Sequence, residues 1–324
     1  MNDIVLSARG VSVDYGGTRG VHAVRDVSIE LHRGEILGIA GESGCGKTTL
    51  AFALAQLLRP PAELTAGTIT FVEPDGTETD LTGLDPVRLR QFRWNRMSMV
   101  FQSAMNALNP VTTIDRQIGD IFATHRPDMN KQARRQRAGE LLDLVGIDPG
   151  RSSSFPHELS GGMRQRVGIA MALALEPDIV LMDEPTTALD VVVQREILDR
   201  IERLRADLGF AIVFITHDLS LLLEISDRLA IMYAGRIVEQ APVRRIEAAA
   251  AHPYTKALLR SFPDMLAEGR ELRGVPGSPP DLRDVPPGCA FAPRCEFAFA
   301  PCATVRPLPR VLDGTVVACH LDDA

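Results

Sequence analysis

Lysine is almost missing from this chain. Lys47, Lys131 and Lys256 are the whole set, so 32 of the 35 basic residues are arginine. Each lysine therefore invites the question of why an arginine would not serve in its place. Long apolar runs are missing as well: the longest candidate, Val167 to Leu175, falls far short of the roughly 18 residues a spanning helix needs. The N-terminal MNDIVLS carries an acid where a secretory leader needs a basic region. A cytosolic protein without its own membrane segment is the expectation. Positive charge is in deficit, with 35 basic against 42 acidic residues and a net charge of −7. That argues against nucleic-acid binding as the main task. No internal repeat is present. What remains is ordinary: 45% apolar and 24% charged residues over 324 positions, enough for about two units and a large core without disulfide staples.

Along the chain, Ile4 to Val13 and Val27 to Leu31 alternate apolar and polar residues around the turn Tyr15-Gly16-Gly17, the pattern of antiparallel strands. Glu35 to Ala40 reads as a short apolar strand, followed by the glycine run Gly41 to Gly46 and a helix from Thr48 to Leu58, stopped at Arg59-Pro60-Pro61. Strand, glycine loop and helix open an α/β unit. From Asp85 to about Leu175 the pattern turns mainly helical, with arginine-rich stretches at Arg88, Arg90, Arg93, Arg96 and at Arg134, Arg135, Arg137; these read as solvated faces. Ile179 to Met182 and Ala211 to Ile215 are wholly apolar, as buried parallel strands require, and Val191 to Leu208 reads as the helix between them. After Arg236 a short alanine-rich helical piece is expected. Nine prolines in the 34 residues Pro276 to Pro309 exclude regular helix or sheet there. A boundary is expected near residue 240.

Gly41-Glu42-Ser43-Gly44-Cys45-Gly46-Lys47-Thr48 fits the pattern G-x-x-x-x-G-K-[ST]. Its glycines let backbone N–H groups turn toward phosphate oxygens, and the helix start adds a favourable dipole. Lys47 supplies a compact charge for the β- and γ-phosphates, and the Thr48 hydroxyl a ligand for Mg²⁺. Thr49 follows in the same turn, and Cys45 reads as a small filler. Such a site also needs an acid at the end of a buried strand. Met182-Asp183-Glu184 offers two, and alternation lets Asp183 face the metal while Glu184 polarises the attacking water.

Four of the five cysteines, Cys289, Cys295, Cys302 and Cys319, fall within the last 36 residues. Their spacing, C-x5-C-x6-C-x16-C, is not the tight pairing of most structural zinc sites, and disulfides are disfavoured in the cytosol. A metal staple suits a proline-rich tail with little core of its own. Four thiolates serve either a [4Fe–4S] cluster or Zn²⁺, and reduced, unligated thiols stay open. His320 reads as a neighbour of that group.

Leu159-Ser160-Gly161-Gly162-Met163-Arg164-Gln165 closely resembles the signature of ATP-binding cassette (ABC) proteins. The order of the other motifs matches too: Tyr15 as the adenine-stacking aromatic, Gln102 of the Q-loop, Ala188-Leu189-Asp190 of the D-loop and His217 of the switch. The resemblance spans roughly residues 4 to 240. It implies a P-loop NTPase (ABC ATPase) core with an antiparallel β subdomain and a helical subdomain at about 85–175, binding ATP and Mg²⁺. It also implies that two cassettes sandwich nucleotide head to tail, with Ser160, Gly161 and Gly162 meeting the γ-phosphate held by the other subunit. Within that scheme Glu184, His217 and Gln102 serve hydrolysis, and Thr48, Gln102 and Asp183 serve the metal. Met163 departs from the glutamine common in the family, past the donor groups.

Further runs resemble the ATPases of oligopeptide and dipeptide importers: Ser103 to Pro110, Phe155-Pro156-His157-Glu158, His252 to Leu259, and the cysteine-bearing tail. This second resemblance implies a small Cys/Pro-rich C-terminal extension, residues 241–324, with a [4Fe–4S] cluster at the four cysteines. Implied partners are a second, similar ATPase, two membrane permeases and an external binding protein, at the cytoplasmic face of the membrane. Nickel, glutathione and oligosaccharides stay open as cargo. A soluble non-transport cassette protein, and a tail that gates the ATPase as a metal-linked sensor, are the rival readings.

Overall fold

The computed structural model describes residues 3–16, 20–102, 107–186, 189–261 and 274–321. The chain divides into two compact units, one gathering residues 83–213 with short pieces at 1–5 and 32–34, the other 6–31, 35–82 and 214–324.

In the second unit an antiparallel sheet runs in the order Val21–His32, Ile4–Tyr15, Ala62–Val72, Glu78–Asp80. Leu6 pairs with Phe71 and Ala8 with Ile69; all four are buried, the half-buried alternation expected of such strands. A second set of strands is built on Ile36–Ala40, every residue of which is buried. It pairs in parallel with Arg228–Tyr233, Leu37 opposite Arg228 and Ala40 opposite Ile231. Arg228–Tyr233 pairs antiparallel with Arg236–Pro242. The tail continues this set: Thr315–Val317 pairs with Arg236–Pro242, Glu239 opposite Val317, and Arg310–Leu312 pairs with Thr315–Val317.

In the first unit Met97–Val100 pairs in parallel with Ile179–Asp183. Helices Ile114–His125 and Lys131–Leu144 pack on each other, burying Ile118, Ile121 and Phe122 on one and Ala138, Leu141 and Leu142 on the other. Side chains start the main helices as capping chemistry dictates. Asn130 accepts from the Ala133 N–H, Ser160 from Met163 and Asp190 from Val193. Val191–Leu208 ends at Gly209 with φ 74°, the left-handed cap glycine favours.

Several elements depart from the sequence-based expectation. The helix after the glycine loop runs Lys47–Leu54 and stops before Leu58, because Gln56 takes a positive φ of 56° and its Nε2 donates to the Ala53 carbonyl at 2.9 Å. The mainly helical stretch contains the strand Met97–Val100, too short to show a period of its own. Ala62–Val72, Arg228–Tyr233 and Arg236–Pro242 were not foreseen as strands. Within the proline-rich tail, Ala300–Thr304 forms a short helix with proline in its first turn, where the missing N–H costs nothing. Among the arginine stretches, Arg135 reaches Asp115 at 2.9 Å and Arg137 reaches Glu176 at 2.6 Å.

Candidate functional site

The phosphate loop lies in the second unit. Strand Ile36–Ala40 delivers the chain to Gly41, and Gly46, at φ 106°, starts the helix Lys47–Leu54. A Cβ on Gly46 would collide with the Ala23 carbonyl oxygen and one on Gly41 with that of Met232, so both positions need glycine. Ser43, Gly44 and Thr48 are exposed, while Lys47 is buried. Its ammonium donates to the carbonyl oxygens of Gly41 at 2.7 Å and Glu42 at 3.0 Å, holding the charge inside the loop. Cys45 is buried against it, and burial raises its thiol pKa. The Tyr15 hydroxyl lies 3.1 Å from the Thr49 hydroxyl, which ties the aromatic to the first helical turn. His217, just after strand Ala211–Ile215, lines one open cavity with Gly41 and Glu42.

The paired acids lie in the first unit. Strand Ile179–Asp183 is buried throughout, and Asp183 at its end is 2% exposed. Glu184 follows with φ 47°, a left-handed conformation that ordinary residues adopt only when their surroundings impose it. Gln102 Nε2 donates to Glu184 Oε2 at 2.9 Å, joining two residues 82 positions apart. At the signature, Ser160 caps helix Gly161–Ala172. A Cβ on Gly162 would stand 2.6 Å from Val193 Cγ1, so this helix lies tight against Val191–Leu208, whose own cap is Asp190. Ser103 to Asn106 and Ala188 lie outside the described residues.

The tail cysteines come together more loosely. Cys289, Cys295, Cys302 and Cys319 line one small cavity with His252 and His320. Among the described residues, however, no group of three or more Cys, His, Asp or Glu side chains is arranged to hold a metal ion. The cluster expected there is thus represented by a shared cavity and not by a coordination site. Burial pushes the Cys289 thiol up to about 11 and raises Cys295 and Cys319. His252 is fully buried, and its Nδ1 accepts from the Tyr254 N–H at 3.0 Å. Its Nε2 is buried with no partner, an orphan donor that a sulfur anion in the cavity would satisfy.

Comparison with known proteins follows the same outline. Residues 24–187 match the ABC transporter family, and residues 238–302 match the oligopeptide/dipeptide transporter C-terminal region. The chain belongs to the ABC transporter family. The dipeptide transport ATP-binding protein DppD of Bacillus subtilis is 43% identical over 326 residues, covering 98% of this chain and 95% of DppD. The oligopeptide transport ATP-binding protein OppD of Mycobacterium tuberculosis is 46% identical over 290 residues, covering 89% of this chain and 46% of OppD. The dimeric bacterial cassette MJ0796 superposes with a TM-score of 0.65 at 29% identity, over 74% of this chain and 99% of that one. CbiO1 of Clostridium perfringens gives a TM-score of 0.64 at 26% identity, over 76% and 92%. This ABC protein therefore has the cassette ATPase fold, and its enzymatic class is ATP hydrolysis. Among the described residues, no helix is long and apolar enough to cross a membrane.

Proposed function

We propose that this chain is the ATP-hydrolysing, energy-coupling subunit of an importer for di- and oligopeptides. The observation that carries the reading is the pairing, in one chain, of the ABC match with the oligopeptide/dipeptide C-terminal match. The cassette occupies residues 1–240, with a helical subdomain at about 85–175, and the C-terminal region 241–324. Tyr15 stacks on adenine. The N–H groups of Gly41 to Thr49, through Ser43, Gly44, Cys45 and Gly46, cradle the phosphates, and Lys47 neutralises them. Thr48, Asp183 and Gln102 hold Mg²⁺, and Glu184 polarises the attacking water. The Gln102–Glu184 hydrogen bond supports that pair as one unit that senses the γ-phosphate. His217 orients Glu184 and water. Ser160, Gly161, Gly162 and Asp190 complete the site of a second, similar cassette. The pair docks on two permeases at the cytoplasmic face of the membrane, fed by an external binding protein.

The four tail cysteines hold a [4Fe–4S] cluster in this reading, with Zn²⁺ as the alternative. Four sulfur donors on one cavity and the orphan His252 Nε2 suit either. Bound there, the group would supply cross-links between segments with little core of their own. Anaerobic purification followed by iron, sulfide and zinc analysis separates the two. The functional reading is tested by co-expressing the chain with membrane permeases and measuring peptide-stimulated phosphate release in vesicles. Stimulation by peptides that is lost in Glu184→Gln is expected. Stimulation by nickel or oligosaccharide instead would move the cargo, and failure to associate with any permease would overturn the transport role.

A further inference from the structure

Glu42 stands in an awkward place. It is the second residue of a loop whose task is to receive a polyanion, where a free carboxylate would repel the ligand. The structure gives it a dedicated partner from 252 residues away. Arg294 Nη1 donates to Glu42 Oε2 at 2.6 Å and Nη2 to Oε1 at 2.8 Å, the bidentate fork that only arginine makes. The other three guanidinium N–H groups are also used. Nε donates to the Pro276 carbonyl at 2.6 Å, Nη1 to the Tyr233 hydroxyl at 3.2 Å and Nη2 to the Val275 carbonyl at 3.2 Å. All five donors are satisfied, and the side chain is only 5% exposed. A lysine, with three donors on a point charge, could not replace this arrangement.

The backbone of Glu42 is held as well. Its N–H donates to the Tyr254 hydroxyl at 3.0 Å, and its carbonyl accepts from Lys47. Tyr254 and Tyr233 are buried and stand 4.6 Å apart between ring centroids, and Phe291 packs 5.3 Å from each. Phe291 also lines the cysteine cavity, and Arg294 directly precedes Cys295. The C-terminal region thus reaches the phosphate loop through one ion pair and one tyrosine hydroxyl, backed by an aromatic cluster.

We propose that Arg294 is a positioning residue for nucleotide binding: it cancels the Glu42 charge and holds the loop backbone in its receptive shape. The proposal rests on reading Gly41–Thr48 as the phosphate site. Its test is a double-substitution cycle on the full chain, read by fluorescence titration with mant-ATP and Mg²⁺ and by KM and kcat for ATP. Arg294→Gln should weaken mant-ATP binding about tenfold, leaving a charged, loosened loop. Glu42→Gln removes the repulsion along with the pair, so about threefold is expected. The double variant should bind no worse than Glu42→Gln, and the losses should appear in KM with kcat held within about twofold. Arg294→Lys, which keeps the charge but not the fork, should fall between, and it decides the matter if Arg294→Gln does not fold. Binding by Arg294→Gln within about twofold of the unaltered protein, or additive losses in the double variant, overturns the proposal. Lys47→Ala separates the two readings: if it binds mant-ATP normally the phosphate-site reading fails, whereas if it alone loses binding only the Arg294 role fails.

Discussion

Two glycine-bearing turns of this cassette each lead into a helix, and they are held in opposite ways. The loop Gly41–Gly46 is fixed from far along the chain: by the carbonyls of Ala23 and Met232 behind its glycines, by Tyr254, and by Arg294. The signature turn at Ser160 is fixed from within, by a serine that caps its own helix at Met163, and Gly162 packs close to Val193. The first turn is a product of the whole second unit, and the second is mostly local chemistry. Damage to the two should therefore spread differently.

The largest effect is expected outside both turns. Glu184→Gln should lower ATP turnover by about 10² to 10⁴-fold, with mant-ATP affinity kept. A variant that hydrolyses normally would show that another residue is the base. The contrast between the turns is sharpened by adding one methyl to each. Gly46→Ala pushes Cβ into a backbone carbonyl at positive φ and should cost about 2–4 kcal/mol in thermal or denaturant unfolding. Gly162→Ala crowds a valine methyl, but alanine restores about 1 kcal/mol of helix propensity, so a change of about 1 kcal/mol or less is expected. Equal costs would break the distinction.

Much of this was legible beforehand, and the reason is range. The loop pattern and the acids ending a buried strand each involve residues within a few positions, where spacing alone sets geometry. The helix Val191–Leu208 and the strand Ala211–Ile215 were foreseen with their observed bounds because a capping acid, a glycine stop and an unbroken apolar run mark them. The strands Arg228–Tyr233 and Arg236–Pro242 were not, since their identity comes from partners in the sheet. His252 to Leu259 and Cys295 were noted as motifs, but nothing in their spacing pointed to Glu42. The thiols drew together on one cavity, but without the arrangement that a metal requires.

A smaller effect probes the anchorage of the first turn. Burial, and then the charge of Lys256, push the His252 pKa from 6.5 down to about 3. The unfolded chain takes up this proton below pH 6.5 while the folded chain does not until about pH 3. Stability should therefore fall as pH drops through that window and be fully present above 6.5. Thermal melts from pH 7.5 to 4.5 should show the decline, and His252→Asn, which keeps a cap acceptor, should flatten it. An unchanged slope would remove His252 from the account. Smallest of all, Tyr15→Phe keeps the ring but loses the contact to Thr49, and should cost about 1 kcal/mol with nucleotide affinity nearly unchanged. Tyr15→Ala should lower affinity if the ring stacks on adenine.

The sequence by itself determined the phosphate-loop pattern, the paired acids after an apolar run and the four cysteines between 289 and 319, and by resemblance it placed the chain with the ABC ATPases. The motifs involve residues close enough along the chain for bond geometry to place them, and the family assignment rests on their resemblance to ABC proteins. Only the tertiary structure decided that Arg294 closes on Glu42, that Tyr254 holds its N–H, and that the tail strands join the sheet carrying the phosphate loop. Contacts of this kind link residues more than 200 positions apart, where no spacing rule operates and the packing of the whole unit selects the partner.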